Sequence, residues 1–208
     1  MKTILCYGDS NTWGAIPGTK DRLSIHERWP GVLRDSLGNG YHVVEEGLCG
    51  RTTIWVDEVC QYRSGRDHLL PCLDTHAPVD LLVIMLGTND LKTRFHLSAE
   101  DIARGVSVLL EMGAKSNFGP GGDAPQMLLI APPVIIETPE NQVQFFDGAS
   151  RSQKLAKLYA DYAKQYNAHF LDAARYVKSS NADGIHLDAT EHVVLGRKIA
   201  EIVKTILA

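Results

Sequence analysis

Short apolar runs alternate with longer segments of helical periodicity along the chain. The apolar, β-branched runs have strand length and occur at 3–7, 42–45, 80–86, 127–131 and 168–171. The middle runs are apolar at successive positions, which is typical of strands buried on both faces. Between the runs, apolar residues recur at helical spacing from Trp29 to the 38–40 turn and in 98–113, 145–166 and 190–206. The alternation predicts an α/β fold with a parallel sheet and helices on both faces.

Three irregular stretches interrupt this alternation, at 14–28, 117–125 and 132–144. Long loops without periodicity in a compact protein usually build a site or an interface, and we expect that here. The chain shows no internal repeat and no linker. Its 208 residues suit one domain over 1–208.

Composition and charge narrow the class of protein. The chain is 44% hydrophobic and 22% charged, with a net charge of −4 spread along its length. These values are typical of a soluble globular protein, and the lack of a basic patch argues against a nucleic acid partner. No apolar run approaches the ~20 residues that span a bilayer, so we expect no membrane contact. Met1 and Lys2 lead directly into a strand, which predicts no signal peptide and a cytoplasmic location.

Cysteine and histidine spacing gives no sign of a metal or cofactor. The cysteines have no C-x-x-C spacing, which argues against a zinc or thioredoxin-type site; they are Cys6, Cys49, Cys60 and Cys72. We interpret Cys6 as a small core residue, and we also favour packing over chemistry for Cys49. The histidines outside the candidate site show no metal-ligand spacing. We therefore predict neither a metal nor a cofactor.

Four polar motifs fall where the predicted topology brings chain segments together. Ser10 follows the first strand, Gly50 follows the second in GRTT, and Asn89 follows the third in GTND. Asp183 and His186 precede the last helix in DGIH. Carboxyl ends of parallel strands meet at one edge of a sheet, where ligands bind in open α/β folds. We therefore expect these motifs to converge.

Each motif has a chemical use in nucleophilic catalysis. A serine hydroxyl needs a base within hydrogen-bond reach, and His186 is the best placed one. Asp183, three residues earlier, would orient the imidazole. The backbone N–H groups of Ser10 and Gly50 and the amide of Asn89 would hold an oxyanion. Any one motif alone is an ordinary turn or helix cap. Their combination, in this order on one edge, favours catalysis.

Neighbouring residues are candidates for contact with a substrate. Asn11 and Trp13 lie within one turn of Ser10, and Trp13 either walls a pocket or packs the first helix. Lys92 and Phe95 follow GTND and would line an entrance, unless Lys92 is simply solvated. Ile185 would touch either substrate or core. Two further residues have structural interpretations: Asp9 as a turn former, and Arg51 as a brace of the oxyanion loop through a carboxylate.

These motifs resemble the SGNH hydrolases, or GDSL esterase/lipase superfamily. Its four marker residues match Ser10 in GDSN, Gly50 in GLCGRTT, Asn89 in GTND and His186 in DGIH, and its aspartate matches Asp183. Asn11 departs from the family, because it replaces the leucine of the GDSL name. The resemblance implies a flavodoxin-like three-layer α/β/α sandwich with a five-stranded parallel sheet.

Longer stretches resemble the arylesterase/acyltransferase subgroup of that superfamily. They are ERWPGVL, EEGLCGRTT, CLDTHAPVDLLVIMLGTND and DGIHLD. The resemblance implies a serine esterase that acts on small aryl or short-chain acyl esters through an acyl-enzyme. It also implies acyl transfer to alcohols or peroxide, and a homo-oligomer, with an octamer as one form. Two alternatives stay open: a carbohydrate O-deacetylase of the same fold, and a non-catalytic flavodoxin-like binding module.

Overall fold

The computed structural model describes residues 1–208 and contains one sheet of five parallel strands. The strands are β1 (Lys2–Gly8), β2 (Tyr41–Gly47), β3 (Leu81–Met85), β4 (Gln126–Ala131) and β5 (His169–Asp172). Their order across the sheet is β2-β1-β3-β4-β5, and every neighbouring pair is parallel. The predicted α/β class and the five-stranded parallel sheet are confirmed.

Helices cover both faces of this sheet. They are α1 (Ser10–Trp13), α2 (Trp29–Leu37), α3 (Gly65–Thr75), α4 (Ala99–Ala114), α5 (Gly148–Gln165) and α6 (Ala189–Ile206). Alternate strand residues point to opposite faces, so Leu5 and Tyr7 join the core under α3, α4 and α5. Ile4 and Cys6 join the other core, under α2 and α6. The result is the predicted three-layer sandwich.

Two helical assignments differ from the sequence prediction. Helix α3 was not predicted, because its buried stripe is narrow and Pro71 lies inside it. Helix α5 begins at Gly148 rather than at 145, because Asp147 has a positive φ of 55° that ends the preceding turn. The predicted cap of α4 is confirmed, since the Ser98 hydroxyl accepts a hydrogen bond from Asp101 N at 3.1 Å.

The carboxyl ends of β1 and β2 lie very close to α1. Gly8 and Gly47 are register partners at these ends. A Cβ placed on Gly47 would lie 2.2 Å from Trp13 N and 2.6 Å from the Thr12 carbonyl carbon. Only glycine therefore lets the second strand pass the short helix that starts at Ser10.

None of the helices is both long and apolar enough to cross a membrane.

Candidate active site

Three side chains form a hydrogen-bonded chain at the carboxyl edge of the sheet. His186 Nε2 lies 2.9 Å from Ser10 Oγ, and His186 Nδ1 lies 2.7 Å from Asp183 Oδ2. Ser10 is the first residue of α1, directly after β1, whereas Asp183 and His186 belong to the turn before α6. This geometry places a hydroxyl, a base and an orienting carboxylate in line.

Backbone donors hold the Asp183 carboxylate in place. Its Oδ1 accepts from Ile185 N and His186 N, both at 2.9 Å, and its Oδ2 also accepts from Gly18 N at 2.9 Å. Burial opposes ionisation of Asp183, but the His186 side chain and these N–H groups outweigh it and hold its pKa well below the usual range. Asp183 is therefore a carboxylate at any pH near neutral.

Three hydrogen-bond donors belong to residues that line one cavity with the Ser10 hydroxyl. The backbone N–H groups of Ser10 and Gly50 donate to no other group of the protein. Gly50 has a positive φ of 81°, which suits glycine. Asn89 is 6% exposed, and its Nδ2 donates one hydrogen to Arg51 O at 3.1 Å. That bond fixes the amide and leaves its second hydrogen for a ligand.

A buried carboxyl group ties the Gly50 loop to the Asn89 turn. Asp90 is fully buried and accepts hydrogen bonds from the N–H and the hydroxyl of Thr53. Burial raises the Asp90 pKa to about 6, although the Thr53 bonds favour its ionised form. The bonds join two segments from different strands, so they fix two of the three donors relative to each other.

Arg51 braces the same loop, but not through a carboxylate. Its Nη1 donates to the carbonyl oxygens of Gly8, at 2.9 Å, and Glu46, and its guanidinium lies 4.0 Å from the centre of the Tyr7 ring. The predicted pairing with a carboxylate is wrong, because the ends of β1 and β2 present carbonyl oxygens at this point. Arg51 thus fastens the Gly50 loop to the sheet.

These groups open into a cavity of about 320 Å³. Its lining includes seven predicted residues: Ser10, Trp13, Gly50, Asn89, Lys92, Ile185 and His186. Three predicted or suggested residues do not line it. Asp183 lies behind His186, Phe95 packs against the core, and Asn11 is buried at 1% exposure.

The chain matches the pattern of the GDSL-like lipase/acylhydrolase family over residues 6–192. This match covers most of the protein and includes all four motifs. The protein belongs to this family. None of the curated proteins gives a significant match.

Solved structures of family members superimpose closely on the protein. A carbohydrate acetylesterase from Sinorhizobium meliloti is 36% identical, with a TM-score of 0.95 over 99% of this chain and 100% of that one. An aryl esterase from M. smegmatis, in an inhibitor-bound form, is 37% identical, with the same TM-score and coverage. A putative arylesterase from Agrobacterium tumefaciens is 38% identical over 99% of this chain and all of its own, with a TM-score of 0.91. The predicted family and fold are confirmed.

Asn11, at the position where the family name has leucine, contacts the histidine turn. Its Nδ2 donates to Ile185 O at 3.2 Å, and its Oδ1 accepts from Leu187 N at 3.0 Å. These backbone groups flank His186 on both sides. Asn11 therefore holds the turn that carries His186, rather than reaching the cavity.

The cavity wall includes residues that the sequence did not single out. They come from the irregular stretches, from the Gly50 loop and, for Phe145, from the first position of the predicted helix, which the structure leaves outside α5: Ala15, Thr19, Lys20, Asp21, Cys49, Gln144 and Phe145. The interpretation of Cys49 as a packing residue is wrong, because its side chain is exposed at the cavity, whereas Cys6 is buried as predicted. Loop length was the only signal for this wall, because a loop has no periodicity that marks its inward positions.

The segment after β4 also clasps the Asp183 turn. Asn141 Nδ2 donates to Asp183 O at 2.7 Å and to Ile136 O at 2.8 Å. Ile136 N also donates to Gly184 O at 2.8 Å, and a Cβ on Gly184 would be 1.9 Å from Ile136 O. The segment that forms part of the cavity wall is thus hydrogen-bonded directly to the turn that carries Asp183.

No group of three or more His, Cys, Asp or Glu side chains is arranged to hold a metal ion.

Proposed function

We propose that this protein is a serine esterase that hydrolyses small acyl esters through an acyl-enzyme on Ser10. The observation that carries the proposal is the hydrogen-bonded chain from Ser10 through His186 to Asp183. The same cavity holds the N–H groups of Ser10 and Gly50, which have no acceptor within the protein. Family membership and the esterases among the structural relatives support carboxylic ester hydrolysis. The cavity, at about 320 Å³, is at the small end of ligand sites and suits a short acyl or aryl group.

In the proposed acylation step, Ser10 Oγ attacks the ester carbonyl carbon while His186 Nε2 takes its proton. The carbonyl oxygen becomes an oxyanion and accepts hydrogen bonds from Ser10 N–H, Gly50 N–H and the Asn89 amide. Asp183 stabilises the imidazolium through Nδ1. The intermediate collapses as the C–O bond to the alcohol breaks, and His186 returns the proton to the leaving oxygen.

Deacylation repeats the same steps with water in place of Ser10. His186 takes a proton from water, and the new oxyanion uses the same three donors. Collapse releases the carboxylic acid and restores the Ser10 hydroxyl. If an alcohol or a peroxide replaces water, the acyl group is transferred instead, and we propose this as a secondary activity on the strength of the subgroup resemblance.

The test is Ser10→Ala assayed with phenyl acetate. We expect kcat to fall ~10³-fold or more, because the nucleophile is lost while the fold is kept. Ser150→Ala is the matched control, since Ser150 is an exposed serine on α5. Undiminished turnover in Ser10→Ala would refute the assignment. Failure of a fluorophosphonate probe to label Ser10 would favour a non-catalytic binding module.

The second candidate is a carbohydrate O-deacetylase. It is favoured by one observation: the S. meliloti relative, 36% identical over nearly the whole chain, is a carbohydrate acetylesterase. Acetylated sugars and phenyl acetate compared at equal concentration separate the two candidates. A kcat/KM higher on the sugars than on phenyl acetate would select the deacetylase.

We also propose a homo-oligomer, and we keep the cytoplasmic location as a prediction. Val143 and Phe146 are 82% and 71% exposed on the segment after β4, and paired apolar exposure of this kind is common at subunit contacts. Sedimentation velocity would report the state, and a monomer at micromolar concentration would contradict the proposal.

A further inference from the structure

Lys92 is a charged side chain in an unusual position. It is only 7% exposed, and it lines the cavity that holds Ser10 and His186. Its ammonium makes no hydrogen bond and no ion pair with any group of the protein. The nitrogen still keeps accessible surface, since it is not among the fully buried polar atoms. The Lys92 side chain thus lines the cavity, and its nitrogen is not fully buried in the core.

An unpaired ammonium in such a place opposes folding. Burial lowers the Lys92 pKa, with the charge of Arg94 acting in the same direction. Buried charges in proteins are normally paired, because without a partner nothing offsets the free energy lost when the charge leaves water. Lys92 therefore lowers the stability of the free protein, unless another group pairs with its ammonium.

The two carboxylates whose charges act on Lys92, those of Asp57 and Asp9, do not form an ion pair with it. Asp57 is bound by Arg94, whose Nε donates to Asp57 Oδ1 at 3.1 Å and whose Nη2 donates to Oδ2. Asp9 accepts from Asn11 N at 2.9 Å through Oδ1, and its Oδ2 has no hydrogen-bond partner, but neither oxygen lies within 4.0 Å of the ammonium. The charges of Asp57 and Asp9 favour the ionised form of Lys92, but no carboxylate of the chain forms an ion pair with it.

The remaining charges of the cavity lie at its mouth. Lys20 and Asp21 are both exposed and carry opposite charges. Their fields largely cancel and are screened by solvent, so they give the cavity little net preference. Lys92 is therefore the charge that a buried part of a substrate would meet.

We propose that Lys92 makes the cavity selective for esters that carry a second, ionised carboxylate. This inference rests on the proposed esterase function and names its substrate class. The carboxylate pairs with the Lys92 ammonium while the ester carbonyl lies at Ser10. Lys92 follows Asn89 by three residues, in the turn after β3, so the charge lies on the same wall as the oxyanion donors. Its role is recognition, not proton transfer.

The experiment compares two pairs of esters that differ mainly in charge. One pair places the carboxylate on the alcohol side: 4-acetoxybenzoate against 4-acetoxybenzamide. The other places it on the acyl side: the 4-nitrophenyl monoester of succinate against that of succinamic acid. In at least one pair we expect the wild-type protein to prefer the anion in kcat/KM by about tenfold or more, and that pair identifies the side that carries the carboxylate.

Lys92→Gln and Lys92→Met should abolish that preference. Loss of a buried charged contact should lower kcat/KM on the anionic ester about tenfold to a hundredfold more than on its neutral partner. The matched control is Lys154→Gln, because Lys154 is an exposed lysine on α5 and the change in net charge is the same. It should leave both ratios unchanged.

The outcomes separate this proposal from the esterase assignment. An equal fall on both members of a pair, or no preference in the wild-type protein, would overturn the role of Lys92 while leaving the esterase intact. If neutral esters show no Ser10-dependent turnover, the esterase assignment itself fails. Thermal unfolding of each variant reports folding, and we expect Lys92→Met to be at least as stable as the wild type, because it removes an unpaired buried charge.

Discussion

A single side-chain amide connects the helix that carries Ser10, the proposed nucleophile, to the turn that carries His186, the proposed base. Asn11 is next to Ser10 in sequence, and its side chain binds backbone groups on either side of His186. The distance between Ser10 Oγ and His186 Nε2 therefore depends on a residue that lines no cavity. We regard Asn11 as a positioning residue.

We predict that Asn11→Ala lowers both stability and kcat. The buried Leu187 N–H would lose its partner, and the Ile185 carbonyl would keep only the Ser179 hydroxyl at 3.4 Å, at a cost of about 1–3 kcal/mol. His186 would then sample more orientations, so kcat should fall more than KM changes. Chemical denaturation and phenyl acetate kinetics measure the two effects. Asn39→Ala, at an exposed turn position, is the control, and an unaltered kcat in Asn11→Ala would contradict the positioning role.

At the scale of elements, the end of β2 and the start of α1 act as one unit. Gly47 touches the backbone of Thr12 and Trp13, and its register partner Gly8 leads into Ser10. The position of Ser10, the proposed nucleophile, thus depends on a strand that contributes no side chain to the cavity.

We predict that Gly47→Ala destabilises the protein and impairs turnover. The added methyl group meets backbone atoms at 2.2 Å and 2.6 Å, which cannot move as a flexible side chain would. Overpacking of this kind costs typically 1–3 kcal/mol. Gly40→Ala is the control, because a Cβ there meets nothing within 4 Å. Equal unfolding free energies for the two variants would contradict the prediction, because they would show that α1 shifts to accept the methyl group with no loss of stability.

The elements that the sequence predicts well are those with strong patterns. The strands fall within one or two residues of their predicted bounds, because a buried parallel strand is a continuous apolar run. The apolar pattern does not predict helix α3, because Leu69 and Leu73 form only a narrow buried stripe and Pro71 lies between them. The four motifs converge because topology places strand ends together. The cavity wall could not be predicted, since Cys49 and Gln144 face inward through loop conformation alone.

At the scale of the whole molecule, a buried histidine links α6 to the start of α2. His192 is fully buried, and its Nδ1 accepts a hydrogen bond from Trp29 N at 3.2 Å. Its Nε2 is also buried and has no partner. Burial, together with the charge of His186, lowers the His192 pKa to about 4. The folded state therefore requires the neutral imidazole.

We predict that His192→Asn removes part of the acid sensitivity of folding. A folded pKa of about 4 lies below the unfolded value of ~6.5, so the stability present above pH ~6.5 is lost as the pH falls towards 4. The difference in unfolding free energy between wild type and variant should change by on the order of 2–3 kcal/mol between pH 7 and 4. Asparagine keeps an acceptor for Trp29 N. Urea titrations at several pH values measure the difference.

In the wild type and in His192→Asn, two carboxyl groups act against the loss of stability at acid pH. Burial raises the pKa of Asp9 and of Asp90 to about 6, so each favours the folded state at low pH and loses that contribution as the pH rises through about 6. They are present in the wild type and in the variant, so they cancel in the comparison. A difference that stays constant from pH 7 to 4 would contradict the role of His192.

The link between Asn141 and the Asp183 turn has a consequence for how substrate range can diverge within this family. The segment after β4 provides Gln144 and Phe145 to the cavity. Through Asn141, the same segment also binds the turn that carries Asp183 and His186. A substitution that reshapes the pocket there also disturbs the alignment of His186. New specificities should therefore arise more readily from side-chain substitutions at Lys20 and Asp21, whose stretch contacts the Asp183 turn only through the Gly18 backbone N–H, than from substitutions in the segment after β4.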